Sequence, residues 1–223
     1  MAKAPAARAN KPVVDYVVDA VRDGIKEGRY SPGQRLIELD LTRQLGVSRG
    51  PFREALRRLV GDGIVVNEPH RGAYVRTFSR NEVEDLYRVR EVVEGLAARL
   101  AAEAVKGGDK AAGLTSIWKR MEKQRGKFDH ASYIDQNERF HDEIVRLSGN
   151  TQLTRLIGQM RMPIFRLRAN RLLTSGYIDS LDQHEQIYLA IMSGGAAKAD
   201  REMRRHITHS ARLVLDLPDL FFS

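Results

Sequence analysis

Hydrophobic residues recur at helical spacing in the first third of the chain. Residues 13–27 place apolar side chains on one face of a first helix, and residues 36–46 predict a short second helix. Residues 49–63 predict a third helix, for which Ser48 is a suitable N-cap. The side chains predicted to face a core are Val14, Val17, Val18, Val21, Ile25, Leu39, Leu41, Leu45, Phe52, Ala55, Leu56, Leu59 and Val60.

The periodicity changes after the third helix. Residues 64–66 predict a β-strand, residues 68–72 a loop, and residues 73–75 the returning strand. Three helices followed by a two-stranded hairpin are typical of a winged helix-turn-helix. We therefore predict this fold over residues 10–78.

From residue 79 onwards the pattern is helical. Ser79 and Glu82 have the spacing of a capping box, and Met162-Pro163 should kink the fourth helix of this part. The helices are predicted at about 80–106, 111–127, 130–148, 151–170, 178–193 and 196–216. The predicted fold class is mainly α, with an N-terminal winged helix-turn-helix followed by an all-α bundle of about six helices over residues 79–217.

Composition narrows the class of protein. Hydrophobic residues make up 42% and charged residues 30% of the 223 residues, which suits two modest globular domains and excludes disorder as the main state. No apolar run approaches the ~18 residues of a membrane span, and the first twelve residues lack the apolar segment of a secretory signal. The lack of cysteine excludes disulfides, iron–sulfur clusters and thiol catalysis. We expect a cytoplasmic protein with no membrane partner.

The basic charge is concentrated in the predicted winged helix. Residues 1–78 hold 14 Lys and Arg against 9 Asp and Glu, whereas residues 79–223 hold 23 against 20, within a net charge of +8. This distribution favours a polyanionic partner for the first part of the chain.

Arginines line the predicted third helix. Arg49 and Arg53 lie at i and i+4 near its start, where guanidinium groups can bond O6 and N7 of guanine in the major groove. Arg57 and Arg58 lie further along and suit phosphates, unless Glu54 pairs with one of them. The alternative interpretation is an ordinary solvated basic face.

Histidines are the second chemical signal. Of the six in the chain, His141, His184, His206 and His209 fall on three predicted helices, while His70 lies in the wing and His130 near a helix start. Three imidazoles that converge in a helix bundle make a site that Zn²⁺, Ni²⁺ or Fe²⁺ accepts. The alternative is that each histidine is an ordinary surface or hydrogen-bonded core residue.

The segment from residue 36 to residue 76, with the turn before it, contains a recognisable set of motif residues. They are Pro32-Gly33, Leu36, Glu38, Gly46-Val47-Ser48-Arg49, Pro51, Arg53-Glu54-Ala55-Leu56, Gly63 and Arg71-Gly72. With these residues the segment strongly resembles the DNA-binding domain of the GntR family of bacterial transcription regulators. Phe52 and Thr42 replace the family's usual valine and alanine.

This resemblance implies an interface with double-stranded operator DNA. In the family, the two arginines matched by Arg49 and Arg53 contact bases, and Gly72 lies in a wing that approaches the minor groove. The full set of expected DNA-binding residues is Ser48, Arg49, Arg53, Arg57, His70, Arg71 and Gly72.

The helical part contains a second set of motif residues. They are Leu86–Arg90, Glu94–Ala98, Asn137, Phe140-His141, Ser148–Asn150, His184–Ile187 and Met203–Ile207. In these pieces it resembles the FCD ligand-binding domain that follows this winged helix in the FadR-type branch of the family. With the DNA-binding half, the resemblance covers about residues 12–217.

The FCD resemblance implies a divalent metal, such as Zn²⁺ or Ni²⁺. The implied ligands are Asn137, His141, His184 and His206. Asn137 stands where the family has an aspartate, and its neutral amide oxygen should weaken the affinity. Asp135 comes two residues too early and points away, whereas Glu138 could compete as a ligand.

The same resemblance implies that Arg90 binds the carboxylate of a small effector beside these four residues. A guanidinium suits that task, and the alternative is an i, i+4 pair between Arg90 and Glu94. A dense run of arginines on the predicted kinked helix could also contribute one side chain to the cavity. These are Arg161, Arg166, Arg168 and Arg171.

The favoured function is a ligand-responsive transcription regulator rather than an enzyme. A homodimer on an inverted-repeat operator is expected, because one winged helix reads too few base pairs alone. In the family, effector binding usually releases the protein from DNA. The alternatives are a metal-dependent enzyme, which lacks a recognisable nucleophile or general-base motif here, and an architectural DNA-binding protein, which has no use for a histidine-bearing bundle.

Overall fold

The computed structural model describes residues 12–108, 111–126, 128–160, 177–219 and 222. The chain divides into two compact units at the boundary between Phe78 and Ser79. Each unit has its own secondary structure and core, and each is described by itself.

The first unit consists of three helices and a three-stranded antiparallel sheet. The helices are α1 (Val13–Lys26), α2 (Glu38–Leu45) and α3 (Arg49–Gly61), and the strands are β1 (Arg35–Leu36), β2 (Val65–Glu68) and β3 (Gly72–Val75). The strand order is β1-β3-β2, with Leu36 paired to Ala73 and Val66 paired to Tyr74. This arrangement confirms the winged helix-turn-helix.

The core of this unit follows the predicted helical faces with two exceptions. The buried side chains are Val17, Val18, Val21, Ile25, Tyr30, Leu36, Leu41, Phe52, Ala55, Leu59, Ile64, Val65, Ala73 and Val75. Leu39 is exposed, because it lies two residues from Leu41 and a helix cannot turn both positions inward. Val60 is exposed as well, since Phe52 and Leu59 already define the inward face of α3.

Two further predictions for this unit are corrected. The hairpin acquires a third strand, because Arg35–Leu36 pairs with β3 instead of extending α2. Ser48 occupies the N-cap position of α3 with extended backbone, but its side chain makes no capping hydrogen bond. Gly46 ends α2 with φ of +62°, a left-handed conformation that lets the chain turn directly into α3.

The second unit is helical in all its described elements. They are α4 (Arg80–Lys106), α5 (Ala112–Glu122), a 3₁₀ turn (Lys123–Arg125), α6 (His130–Leu147), α7 (Thr151–Gln159), α8 (Tyr177–Met192) and α9 (Ala196–Leu215). The predicted all-α bundle is therefore confirmed. The helix predicted at 111–127 ends earlier, at Glu122, and the second part of the helix predicted at 151–170, with Met162-Pro163, lies outside the described residues.

Helix α4 is the longest described helix, and its N-terminal end is held by two sets of contacts. The Ser79 side chain accepts a hydrogen bond from the Glu82 N–H, and the Glu82 side chain accepts one from the Ser79 N–H, so the predicted capping box is present. Arg80 donates to the carbonyl groups of Leu215 and Leu217 just beyond the end of α9. Helix α9 packs along α4 over much of its length.

Gly95 allows the two long helices to approach closely. A Cβ atom at this position would lie 2.4 Å from Oδ1 of Asp200 on α9. The missing side chain thus lets α9 lie against the middle of α4, where Arg90 and Glu94 are buried. In the part of the chain that the structure describes, no helix has the length and apolar character of a membrane span.

Candidate metal centre and nucleic-acid surface

Three buried histidines meet inside the second unit. His141 comes from α6, His184 from α8 and His206 from α9. One ring nitrogen of each lies within 4.8 Å of those of the other two. Among the described residues these three side chains form a group that could hold a metal ion.

Each of the three imidazoles is oriented by a hydrogen bond at Nδ1. His141 donates to Oε2 of Glu94 at 2.7 Å, and His206 donates to Oε1 of Gln183 at 2.9 Å. His184 donates to the backbone carbonyl of Ser180 at 2.6 Å, one helical turn earlier. A neutral imidazole that carries its proton on Nδ1 has a lone pair on Nε2, so Nε2 is the atom of each ring that could ligate an ion.

The Nε2 atoms of His141 and His184 lie 3.4 Å apart. Two nitrogens that both carry lone pairs repel each other at this distance unless a cation or a proton lies near both. Oriented histidines whose other nitrogen bonds a carboxylate or carbonyl are the usual pattern at protein metal sites. The donor set therefore fits a borderline divalent ion of the zinc or nickel kind.

Glu94 connects this cluster to Arg90. Oε1 of Glu94 accepts from Nε of Arg90 at 2.7 Å, while Oε2 accepts from His141. The Arg90 guanidinium also lies over the Tyr87 ring, 4.8 Å from its centre. Burial alone lowers the pKa of Arg90, but the charge of Glu94, with contributions from Tyr87, outweighs it and leaves the pKa raised. Arg90 is therefore a buried cation that is paired with Glu94.

Three further sequence candidates lie on α6 before His141. Asn137 is half-buried, one turn before His141. Asp135 is exposed and pairs with Arg139, so it points away as expected. The carboxylate of Glu138 does not belong to the histidine group.

His209 lies one turn beyond His206 and is also outside the group of three. Its Nε2 atom is buried and has no hydrogen-bond partner among the described residues. Arg161, Arg166, Arg168 and Arg171 fall outside the described residues.

The start of α3 presents two arginines side by side. Arg49 and Arg53 are both exposed, and both face the carboxylate of Glu38 on α2. Nε of Arg53 donates to it at 3.0 Å, and Nε of Arg49 lies 3.9 Å from it. Glu38 thus holds the guanidinium groups of Arg49 and Arg53 side by side on the exposed face of α3, where both stay accessible to solvent.

The arginines further along α3 differ from each other. Arg57 is exposed. Arg58 donates to Asp15 on α1, rather than to Glu54. Of the two arginines considered for phosphate contacts, Arg58 is the one with an ion pair within its own unit.

The wing is a tight turn between β2 and β3. His70 has φ of +62° and Gly72 has φ of +99°. Arg71 pairs with Glu68 across this turn. The guanidinium of Arg35 on β1 lies against Gly72, with Nε 3.4 Å from the point where a Cβ would stand. Because of the positive φ of Gly72, any other residue at this position would be strained.

The sequence interpretation did not anticipate several of these supporting residues. In the sequence, Glu94 is an alternative partner of Arg90 and a match to the FCD pattern, and Glu38 is only part of a motif. Ser180 precedes His184 by one helical turn, so helical spacing could have identified it. Gln183 accepts from His206, which is 23 residues away, so it has no comparable local signal. The sequence alone does not say which hydrogen-bond acceptor lies beside Nδ1 of each imidazole.

Comparisons with known proteins agree for both units. A family model described as "FCD domain" matches residues 85–209, and one described as "Bacterial regulatory proteins, gntR family" matches residues 14–75. The first match alone covers more than half of the chain.

Relatives with known names are transcriptional regulators. The Nta operon transcriptional regulator of Aminobacter aminovorans is 31% identical over 128 residues, which are 57% of this chain and 60% of that protein, less than two thirds of its length. The probable D-xylose utilization operon transcriptional repressor of Paenarthrobacter nicotinovorans is 25% identical over 87% of this chain and 85% of that protein. The transcriptional repressor GlaR of Escherichia coli is 26% identical over 84% of this chain and 89% of that protein.

Solved structures share the fold. McbR/YncC of E. coli has a TM-score of 0.74 at 21% identity, covering 92% of this chain and 98% of that one. A transcriptional regulator of Rhodococcus sp. RHA1 has a TM-score of 0.70 at 22% identity, with the same coverage.

Proposed function

Because this chain belongs to the GntR family of bacterial regulatory proteins and carries an FCD domain, we propose that it is a transcriptional regulator whose binding to an operator responds to a small carboxylate effector. The effector binds in the helical unit with a divalent metal. The family and the named relatives are regulators and not enzymes, which removes the metal-dependent enzyme from consideration.

The winged helix reads the operator through α3 and the wing. Arg49 and Arg53 meet base edges in the major groove, and Ser48 and Arg57 contact the backbone on either side. In the wing, His70 and Arg71 approach the minor groove, with Gly72 allowing close contact. The support is the exposure of both arginines on one face and the tight wing turn.

His141, His184 and His206 would hold the metal, with Asn137 as a fourth, neutral ligand. When bound, the ion supplies two positive charges that attract an anion into a buried site. The residues of the chain do the rest: Glu94, Ser180 and Gln183 hold the Nδ1 protons of the three rings. Burial of the rings keeps water from competing with the effector.

An anionic effector complements this site. Three neutral imidazoles and an amide carry no charge to balance a divalent cation, so a carboxylate is the natural partner. Arg90 offers a second point of attachment, since a guanidinium has five N–H donors and Glu94 does not use all of them. Effector binding changes operator affinity through its preference for one arrangement, a coupling of typically 1–3 kcal/mol. Two of the relatives described above are named as repressors, which favours release from DNA.

The active form is a cytoplasmic homodimer on an inverted repeat. Two symmetric copies double the number of base pairs read, and half-sites then lie one helical turn or a multiple of it apart.

The observation that carries this proposal is the set of three buried histidines with every Nδ1 engaged by a protein acceptor. An architectural DNA-binding protein has no need of such a cluster.

The experiment measures metal content by elemental analysis, and operator affinity with and without a panel of small carboxylic acids. His184→Ala should lose the metal, and Arg90→Ala should retain it but respond less to the active acid. Ser180→Ala keeps the backbone acceptor of His184 and serves as the control. Full metal content in His184→Ala refutes the metal site. A full response of Arg90→Ala to the acid shows that Arg90 is structural.

A further inference from the structure

Helix α4 has an exposed stripe that no described residue of its own unit covers. Val89, Val92 and Leu96 are 50%, 50% and 39% exposed. Asp85, Arg99 and Glu103 continue the same line and are exposed as well. Steps of four, three, four, three and four residues separate these positions, which is the spacing of a helix–helix seam.

The stripe differs from the other exposed apolar residues of the described chain. Single exposed leucines and valines are common on protein surfaces and need no explanation. Here three successive apolar positions share one helix face. The opposite face of α4 carries its buried residues, among them Val83, Tyr87 and the alanines near its C-terminal end. A rimmed apolar stripe of this kind is typical of an interaction surface.

The charges at the ends of the stripe complement those of a second copy. If two α4 helices pair antiparallel about a two-fold axis at Val92, residues seven positions before and after it come together. At 1.5 Å per residue, Asp85 and Arg99 each lie about 10 Å from Val92, on opposite sides. Each Asp85 would then face the Arg99 of the other copy, with the apolar residues between them. Within one chain Asp85 pairs with Arg88 and Arg99 pairs with Glu103, and both are exposed pairs that cost little to exchange.

We propose that this stripe, comprising Asp85, Val89, Val92, Leu96, Arg99 and Glu103, is the surface through which two copies of the chain pair in solution. The proposal rests on the homodimer of the proposed function and specifies its surface. Two symmetric ion pairs fix the register, and the apolar centre supplies the affinity.

A single substitution at the axis tests the surface. Sedimentation equilibrium of the full chain should show that Val92→Glu weakens dimerisation about 30-fold or more, because two carboxylates meet at the axis. Val66→Glu, at an exposed valine on β2, should leave dimerisation unchanged and is the matched control. Circular dichroism checks that both variants fold.

Charge reversal provides a second test that no folding defect can imitate. Asp85→Arg and Arg99→Asp each place like charges at both ends of their own homodimer, and each should dimerise more weakly than wild type. An equimolar mixture of the two should form a mixed dimer of near wild-type strength. A monomeric wild type overturns both the homodimer and this surface. A dimeric wild type whose affinity is unaffected by Val92→Glu overturns the surface alone.

A second inference comes from the buried pair beside the histidines. Position 137, where the family has an aspartate, holds an asparagine in this chain. The carboxylate that contacts His141 comes instead from Glu94 on α4. One carboxylate oxygen of Glu94 accepts a hydrogen bond from Arg90, and the other accepts one from His141. We infer that Glu94 is a positioning residue for the metal site: it holds His141 in the tautomer whose Nε2 would ligate an ion.

The amide variant distinguishes this role from mere packing. In Glu94→Gln the single amide oxygen should turn to the Arg90 cation, which leaves the NH₂ group facing His141. His141 Nδ1 must then accept, so the ring carries its proton on Nε2 and can no longer ligate. Loss of an outer-shell partner of this kind typically costs 10–100-fold in metal affinity.

The test is competition with a chelator for Zn²⁺, together with ¹⁵N NMR of the histidine rings in the metal-free protein. Glu94→Gln should lose about 10–100-fold in Zn²⁺ affinity and should move the His141 proton to Nε2, while Glu84→Gln on the same helix changes neither. An unchanged His141 tautomer overturns the inference even if the protein binds no metal. If the wild type fails to bind Zn²⁺, the metal proposal fails, and the NMR result still decides the role of Glu94 in orienting His141.

Discussion

Arginine–carboxylate pairs occur in both units, in opposite surroundings. On α3, the side chains of Arg49 and Arg53 are 70% and 60% exposed while they face Glu38. On α4, the side chains of Arg90 and Glu94 are 9% and 3% exposed. The chemistry of the pairs is the same, and the solvent around them is different.

This difference decides what each pair can do. An exposed ion pair contributes about 0–1 kcal/mol, so DNA can take over its arginine at little cost. A buried pair has lost its hydration, and removal of one partner leaves an uncompensated charge that costs about 3–5 kcal/mol. The winged helix thus holds its arginines ready for exchange, whereas the helical unit holds Arg90 and Glu94 in fixed positions.

Breaking the buried pair should have the largest effect on stability. Glu94→Ala should lower the free energy of unfolding of the helical unit by about 3–5 kcal/mol, because Arg90 stays buried without its partner. Urea unfolding followed by tryptophan fluorescence measures this, since Trp118 of α5 is the only tryptophan in the chain. Glu84→Ala, which breaks an exposed pair with Arg88, should cost about 1 kcal/mol or less. Equal effects of the two variants would remove the contrast between buried and exposed pairs.

Metal removal should affect one unit only. With free metal at about 100 times its dissociation constant, binding stabilises the folded state by about 2.7 kcal/mol, and chelation should remove this amount. Trp118 fluorescence should report the change, while hydrogen exchange of the α3 amides should remain the same. His184→Ala should show no response to metal or chelator. A metal response in that variant would mean that the ion binds elsewhere.

Removal of an exposed arginine should affect DNA binding and leave stability alone. Arg49→Ala and Arg53→Ala should each lose about 1–3 kcal/mol of discrimination between operator and unrelated DNA, because a bidentate base contact is lost. Binding titrations at fixed salt measure this loss. The free energy of unfolding, obtained from thermal melting followed by circular dichroism, should change by no more than about 0.5 kcal/mol. Arg43→Ala, at an exposed arginine of α2, is the control. Wild-type discrimination in both α3 variants contradicts the assignment.

The smallest effect is expected from a phosphate contact. Arg57→Ala should weaken binding to all DNA sequences about equally and reduce the slope of log affinity against log salt by about 1. Arg58→Ala should change that slope less, because Arg58 pairs with Asp15 in its own unit. If the two variants change the slope equally, the ion pair with Asp15 does not remove Arg58 from the DNA surface.

Local sequence patterns predicted most of the fold. The apolar spacing of Val17, Val21 and Ile25 defined the buried face of α1, and the capping box at Ser79 marked the start of α4. The pattern failed at Leu39 and at the strand Arg35–Leu36. A two-residue strand has no period of its own, and only its pairing with β3 identifies it.

The sequence by itself determined which residue types were available: arginines at i and i+4 on α3, and three histidines on separate helices. These follow from helical spacing and motif, which are local properties of the chain. Only the tertiary structure decided that the histidines meet and that each Nδ1 has an acceptor. It also decided that Arg90 and Glu94 form a buried ion pair. The physical reason is that burial, the imidazole tautomer and charge pairing depend on neighbours from other helices, and those neighbours are fixed by packing rather than by distance along the chain.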